Sequence, residues 1–309
     1  MKAFRLHEYG DPSDSSLIET EIPEIAPTEI LIRVAASAVN PMDWHVQTGL
    51  IKAYLPYRLP LTLGWDVAGI AHKIGSAVSG VAVGDRLFAM ADLMRGGCHA
   101  EYVAVQAELV TRAPSSIALT TAAAVPLAAL TSWWALFDTA ELQKGQSVLV
   151  HGAAGGVGSF AVQLARNAGA LVTATCSTSA VPLVKGLGVG DVIDYSRDDF
   201  TRRSGFDVVL DTIGGDVRAR SWRVLKPGGI LVTTVLPEPD PIPRTDVRGV
   251  LVRNRPDGTR LAKVAKLIDA GAILPLIAGT LDLGTVDRAI VRVREGHVHG
   301  KLVVRIGGE

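Results

Sequence analysis

The chain has 309 residues, 48% hydrophobic and 20% charged, a balance that supports a buried core and excludes disordered, collagen-like and coiled-coil proteins. At roughly 150 residues per domain, this length suggests two domains. Thirty-one Lys and Arg balance thirty-one Asp and Glu, so no net field draws in nucleic acid or an anionic membrane. Two cysteines, Cys98 and Cys176, are too few for a disulfide framework or a four-cysteine zinc site, which makes a reduced, cytoplasmic compartment the expectation.

At the start, Met1 to Tyr9 alternates apolar residues with Lys2, Arg5, His7 and Glu8, which predicts a strand and not the uncharged stretch of a signal peptide. The first 112 residues favour β-structure, with strand-like runs at Ile30 to Val34, Val67 to Ile74, Arg86 to Ala89 and Glu101 to Val105. Gly84-Asp85 and Gly96-Gly97 punctuate them, and a compact β-barrel is expected here. The longest uncharged stretch, Ala113 to Phe137, carries Pro114 and Pro126 among Ser and Thr residues and reads as a buried, Ala-rich helix, not a membrane span.

From Ser147, apolar strands alternate with helical segments, the signature of a parallel sheet. The predicted strands are Ser147 to His151, Leu171 to Thr175, Asp191 to Asp194, Phe206 to Asp211 and Ile230 to Val235. Pro237, Pro239, Pro241 and Pro243 then make an extended connector. A strand at Arg248 to Val252 and a helix at Thr259 to Ala270 follow, and Gly271 stops the helix. The apolar tail Lys301 to Ile306 is a strand of the kind that returns to an earlier domain.

The strongest motif is Gly152-Ala153-Ala154-Gly155-Gly156-Val157-Gly158, directly after a strand and opening a helix. Val157, Phe160, Ala161, Leu164, Ala165 and Ala168 fall on one face of that helix. Glycines let the backbone approach a pyrophosphate, and the unpaired N–H groups of the first helical turn receive its charge. A tight turn without a ligand explains the glycines alone, but not the strand before them and the amphipathic helix after them.

With this loop, several further stretches resemble the zinc-free quinone oxidoreductase branch of the medium-chain dehydrogenase/reductase superfamily. They are Val39-Asn40-Pro41-Met42-Asp43, Leu63-Gly64-Trp65-Asp66-Val67-Ala68-Gly69, Val83-Gly84-Asp85-Arg86, Ala100-Glu101-Tyr102, Leu225-Lys226-Pro227-Gly228-Gly229 and Gly300-Lys301, in family order along almost the whole chain. The resemblance implies an α/β chain. Its parts are a GroES-like β-barrel catalytic domain over residues 1–114 and 272–309, and a Rossmann domain with a doubly wound parallel sheet over residues 115–271.

Aligned with zinc-dependent relatives, the ligand positions hold Asn40, Trp65 and Leu127, none of which binds zinc well, so no metal is expected. His297 and His299 near the tail lack a third ligand and read as solvated histidines. Cys98 and His99 are adjacent, so on extended backbone their side chains point to opposite faces and make no thiolate pair.

No acidic residue occurs between Gly158 and Asp191, so the repulsion that excludes a 2′-phosphate is missing from that segment and NADPH is the expected cofactor. By resemblance, Ser177 and Tyr195 match phosphate-contacting positions. The helix lysine of many relatives aligns with Ala180, for which Lys185 is a possible substitute or merely a charge on a solvated face. Also by resemblance, Gly152 through Val157 bind the diphosphate, Asn40 and Asp43 lie beside the nicotinamide ribose, and Thr131 and Val252 lie near its ring. Asp43 has an alternative role in capping local backbone.

Trp44, His45, Tyr54 and Trp65 then wall an aromatic pocket for a flat conjugated substrate, and Tyr54 or His45 either donates a proton or simply packs. The expected activity is zinc-independent, NADPH-dependent hydride transfer to a quinone or an activated C=C of an enone. An enoyl reductase tailoring a biosynthetic intermediate, such as a polyketide, is one alternative, and a catalytically idle NADPH-binding or structural protein is another. Expected partners are the small-molecule substrate and a second copy, joined as a homodimer through the edge strand near Arg248 to Val252, with neither nucleic acid nor membrane.

Overall fold

The structure is a computed structural model that describes residues 1–11, 15–238 and 241–308. Two compact units make up the chain, one of Met1–Leu127, Arg255–Ala270 and Pro275–Glu309, the other of Ala128–Asn254 and Gly271–Leu274.

The first unit begins with β1 (Lys2–Leu6), β2 (Ser15–Glu19) and β3 (Glu29–Val39), then helix α1 (Pro41–Gln47), β4 (Leu61–Thr62), β5 (Asp66–Ile74) and β6 (Arg86–Met90). β7 (Tyr102–Gln106), β8 (Val110–Arg112) and helix α2 (Leu119–Ala122) follow. β3 is the hub, antiparallel to both β5 and β7. Its register against β5 shifts at Leu31/Ile32 and at Val34/Ala36, irregularities of the kind that bend a strand and help curl a sheet. Ile30, Ile32, Val34, Val67, Leu87, Ala89, Val103 and Val105 come from these strands and pack into one core with Cys98. Burying such side chains supplies the main driving force for the barrel.

Instead of one helix over Ala113 to Phe137, the chain forms α2, then α3 (Pro126–Trp133), then a π-helical turn over Trp134–Thr139. Pro126 is the first residue of α3, where its missing N–H costs nothing, and it cannot continue a preceding helix. The stretch is nonetheless buried from Ala122 to Ser132, as its composition predicts.

The second unit contains β9 (Ser147–Val150), α4 (Gly156–Asn167), β10 (Leu171–Cys176), α5 (Val181–Gly186), β11 (Asp191–Asp194), β12 (Phe206–Asp211) and α6 (Gly215–Ser221). β13 (Leu225–Thr233) and β14 (Arg248–Leu251) complete a six-stranded sheet of order β11-β10-β9-β12-β13-β14. Every neighbouring pair is parallel, and the order reverses beside β9, the switch point at which doubly wound sheets bind ligands. In α4 the whole run from Gly158 to Ala165 is buried, a wider burial than one helical face, while Val157 and Ala168 are only half-buried. Of the connector prolines between β13 and β14, Pro239 lies outside the described residues.

The tail returns to the first unit as α7 (Gly258–Asp269), β15 (Ile277–Asp282), α8 (Val286–Glu295) and β16 (Lys301–Arg305). β16 runs antiparallel to β3 and completes the sheet β15-β16-β3-β5-β6-β8, with β7 on β3. Residues 115–127 and 255–270, expected with the Rossmann domain, therefore group with the barrel. Their contacts explain this. α7 packs on β8, a Cβ on Gly258 would come within 2.5 Å of the Glu108 carbonyl, and the Ser116 N–H donates to Asp269 at 2.9 Å. No helix among the described residues is long and apolar enough to cross a membrane.

Candidate active site

In the first unit, polar chemistry collects where β3 ends and α1 begins. Asn40 caps α1, Pro41 opens it, and the Asp43 carboxylate reaches back to accept the Asn40 N–H at 2.8 Å. The Asn40 amide is committed on both sides: its nitrogen donates to the Ala38 carbonyl (3.2 Å) and to Asp66 (2.8 Å), while its oxygen accepts from Lys301. Lys301, only 5% exposed, also donates to the Val39 carbonyl at 3.0 Å and lies 3.2 Å from the Asp66 carboxylate. The Leu127 N–H completes the set at 2.6 Å from the other Asp66 oxygen. Burial pushes the Asp66 carboxyl upward, and the Lys301 ammonium and these donors work against that push.

Asp43 has no exposed surface. One oxygen accepts the Gly64 N–H at 3.0 Å and faces His99 Nε2 at 3.2 Å, and the other holds Asn40, so backbone capping accounts for both. On its far side His99 meets the Ser37 hydroxyl at 3.0 Å. Ser37, His99 and Asp43 thus stand in the order of a hydrolase triad, but the serine hydrogen goes to the Asp66 carbonyl at 2.7 Å and all three residues are buried. This is scaffolding and not a nucleophile. Gly64, at φ +91°, is required here, because a Cβ would sit 2.7 Å from the His99 ring. Cys98 is buried and its thiol is pushed well up, by burial first and then by Asp66 and Asp43, so it is no thiolate.

The expected aromatic wall divides. Trp65 is fully buried, its indole N–H donating to the Leu93 carbonyl at 3.1 Å beside the Tyr57 hydroxyl at 2.6 Å. It belongs to the interior. Trp44 and His45 are half-buried with ring centroids 3.9 Å apart, and burial holds the His45 imidazole below its ordinary pKa. Tyr54 is 77% exposed on the turn after α1, whereas Asn40 and Asp43 are buried.

In the second unit the glycine loop closes tightly on itself. Gly152 adopts φ +67°, and a Cβ on Gly158 would lie 2.2 Å from the Gly152 carbonyl, so α4 can start this close to β9 only with glycine. Ala153 N–H bonds to the Thr175 carbonyl at 3.0 Å, and the Ser132 hydroxyl secures the Val157 carbonyl at 2.8 Å. Gly155 caps α4 without a side chain, leaving the N–H groups of the first turn uncapped by one. Gly152, Ala153, Ala154, Gly155, Gly156 and Val157 together form a tight strand-to-helix loop of the kind that could hold a diphosphate.

Other predicted residues gather at the same C-terminal end of the sheet. Ser177 follows β10 and Tyr195 follows β11, with the Tyr195 N–H on the Cys176 carbonyl at 3.2 Å. Val252 follows β14, its N–H on the Thr233 carbonyl at 2.8 Å, and the Thr131 hydroxyl on α3 accepts from Asn254 at 2.8 Å. Two buried polar residues that the sequence did not single out hold these strand ends. His151 is bonded to Thr175 (3.0 Å) and Ser221 (2.9 Å), and Asp211 accepts the N–H groups of Ile213 (2.9 Å) and Gly214 (2.8 Å). Asp66 and Lys301, likewise not singled out, open β5 and β16, and a charge leading directly into an apolar run is a readable sign of a buried pair. Among the described residues no group of three or more His, Cys, Asp or Glu is arranged to hold a metal ion.

Residues 26–115 match the family described as alcohol dehydrogenase GroES-like domain, and residues 187–304 match the one described as zinc-binding dehydrogenase. The chain is 33% identical to the mitochondrial NAD(P)H oxidoreductase RTN4IP1 of Mus musculus, over 91% of this chain and 82% of that protein. It is 34% identical to the 2-methylene-furan-3-one reductase of Solanum lycopersicum, over 98% and 79%. Among solved structures, the quinone oxidoreductase from Coxiella burnetii superposes with a TM-score of 0.88 at 30% identity, covering 99% of each chain.

Lys301→Met leaves the Asp66 carboxylate buried without its cation and is expected to cost about 3–5 kcal/mol in thermal or urea unfolding. Adding Asp66→Asn should return much of the loss, and equal stabilities for single and double variants would contradict the pairing.

Burial lowers the pKa of His151 from 6.5 to about 4. The unfolded chain therefore binds a proton below about pH 6.5 that the folded chain refuses until about pH 4. Its contribution to stability is complete above that window and is lost as pH falls through it, by up to about 3 kcal/mol. Unfolding followed from pH 7 to pH 4 should show a shallower loss for His151→Asn than for the wild type, and parallel curves would refute this.

Proposed function

Because the chain belongs to the medium-chain dehydrogenase/reductase superfamily, with quinone oxidoreductase-like relatives, we propose that it is a zinc-independent, NADPH-dependent oxidoreductase that reduces quinones or the activated C=C of enones. The observation that carries this reading is the state of Asn40. At a position aligned with a metal ligand in zinc-dependent relatives, its amide oxygen takes the chain's own ammonium from Lys301 and its nitrogen is spent on Ala38 and Asp66. Trp65, at the second such position, offers an indole that only donates, and it donates to Leu93. Leu127 has no donor atom in its side chain.

The nicotinamide cofactor supplies the hydride when bound. The chain's part is to hold it and to present the substrate. The loop from Gly152 to Val157 would receive the diphosphate, Thr131 and Val252 would border the ring, and Asn40 and Asp43 are proposed for the ribose by resemblance. With no metal to stabilise an alkoxide, acceptors whose product anion is delocalised suit this donor set better than simple alcohols or ketones. Tyr54 is largely exposed and the His45 imidazole is biased towards its neutral form, so we assign protonation of the resulting enolate to solvent. NADPH is favoured over NADH because β10 leads into Ser177 with no acid on its strand end. Two buried free cysteines, Cys98 and Cys176, support action in the reduced cytoplasm.

The purified protein should oxidise NADPH with simple quinones or enones, at ten- to several hundredfold higher kcat/KM than NADH. Activity should persist after chelation, and ethanol should not be oxidised. Loss of activity on chelation, restored by zinc, would end the zinc-independent reading, and cofactor binding without turnover of any quinone or enone would favour the idle protein.

We also propose a homodimer through β14. It ends the sheet order, and Val250 on it is 36% exposed, an edge that needs cover. Sedimentation at micromolar concentration should give twice the chain mass for the wild type and a shift towards monomer for Val250→Lys, whereas a wild-type monomer would contradict the pairing.

A further inference from the structure

β10 and β11 run parallel with Cys176 opposite Asp194, so the turns that follow them, Ser177–Ser179 and Tyr195–Arg197, lie side by side at one corner of the sheet. In a doubly wound sheet, the end of the second strand of the nucleotide fold faces the adenine ribose. Although β10 itself carries no acid there, the neighbouring strand brings one. Asp194 accepts the Ser196 N–H at 3.0 Å and the Thr178 hydroxyl, and Arg197 Nε stands 3.6 Å from its second oxygen. The Thr178 hydroxyl first, with the Ser196 N–H and Arg197, holds this carboxyl below the ordinary carboxylate range, so it is an anion at neutral pH.

An uncompensated carboxylate at this corner would repel a 2′-phosphate. Arg197 offsets it. The Arg197 N–H bonds to the Asp194 carbonyl at 3.0 Å and the Asp198 N–H does so at 2.9 Å, which fixes the turn that carries the guanidinium. The Nε side faces Asp194 and the side chain is 76% exposed, so the terminal amino groups of the fork are presented outward, in the geometry that suits a phosphate. Other arginines of this region contact different acids: Arg202 with Asp198, Arg203 with Asp191 and Arg220 with Asp199. Lys185 lies exposed on α5.

We propose that Arg197 is the residue that selects a 2′-phosphorylated dinucleotide, its guanidinium bridging the Asp194 carboxylate and the phosphate, with the Ser177 and Ser179 hydroxyls as neutral donors beside it. The assignment rests on the NADPH reading above and replaces the helix lysine of relatives with an arginine from the next strand's turn.

The test is calorimetric titration of the full-length protein, at low ionic strength, with adenosine 2′,5′-bisphosphate and with AMP, which differ only in the 2′-phosphate. The wild type should bind the bisphosphate more tightly. Arg197→Gln should weaken bisphosphate binding about tenfold or more and change AMP binding less than twofold. Lys185→Gln should change neither. Adding Asp194→Asn to Arg197→Gln should recover part of the loss, because the unbalanced anion is then gone, and a double variant no better than the single one contradicts the bridge. Equal losses for both ligands in Arg197→Gln, no loss, or a loss transferred to Lys185→Gln would overturn the role of Arg197 while leaving NADPH selection intact. A wild type that does not distinguish the two ligands would instead remove the NADPH reading, and Arg197 with it.

Discussion

One buried ammonium, on Lys301, organises the polar centre of the barrel unit. β16 pairs with β3 so that Leu302 faces Val39, which sets Lys301 beside Val39 and Asn40 at the point where the strand turns into α1. A slip of one residue would turn Lys301 to the opposite face and leave Asp66 without its cation, so the charge specifies the register as well as occupying it. Desolvating both ions is costly. The cost is offset because nearly every remaining lone pair and proton has a partner, with Asn40 bridging the two charges and the Leu127 N–H on the far oxygen of Asp66. His99, wedged between Ser37 and Asp43 under Gly64, extends the same network to the first turn of α1.

The second unit solves a different problem, that of a close turn from strand into helix. Its loop folds back on itself because Gly152, Gly155 and Gly158 have no side chains in the way, and α4 begins without a side-chain cap. Elsewhere along the same sheet end, polar groups are closed off: His151 by Thr175 and Ser221, and Asp211 by Ile213, Gly214 and Thr233. Rigid strand ends thus surround a glycine loop whose own helix begins without a side-chain cap, and preorganisation of this kind is what the proposed cofactor site requires.

Much of this was legible in the residues. The alternation of apolar strands and helical segments after Ser147 led to a parallel sheet, and the observed order is the doubly wound one, because hydrophobic periodicity reports burial directly. The tail strand returned to the barrel as expected, since Leu302, Val303 and Val304 need a sheet to bury them. Pattern alone did not place α7. An amphipathic helix shows which face is buried but not against which sheet, and the close approach of Gly258 to Glu108 is visible only in three dimensions. Nor did the aromatic residues near α1 announce their fates: Trp65 became core and Tyr54 surface. The acid-free segment after Gly158 was read along one strand, whereas the charge that matters at that corner, Asp194, comes from its neighbour in space.

The proposed function requires hydride to go to the electron-poor carbon of a conjugated acceptor. Turnover of an enone with NADPH deuterated at C4, on the side that is transferred, tests it directly, with the product's label located by NMR. Deuterium is expected at the β-carbon, with a solvent proton at the α-carbon and the carbonyl intact. Deuterium on the carbonyl carbon of an allylic alcohol would contradict it.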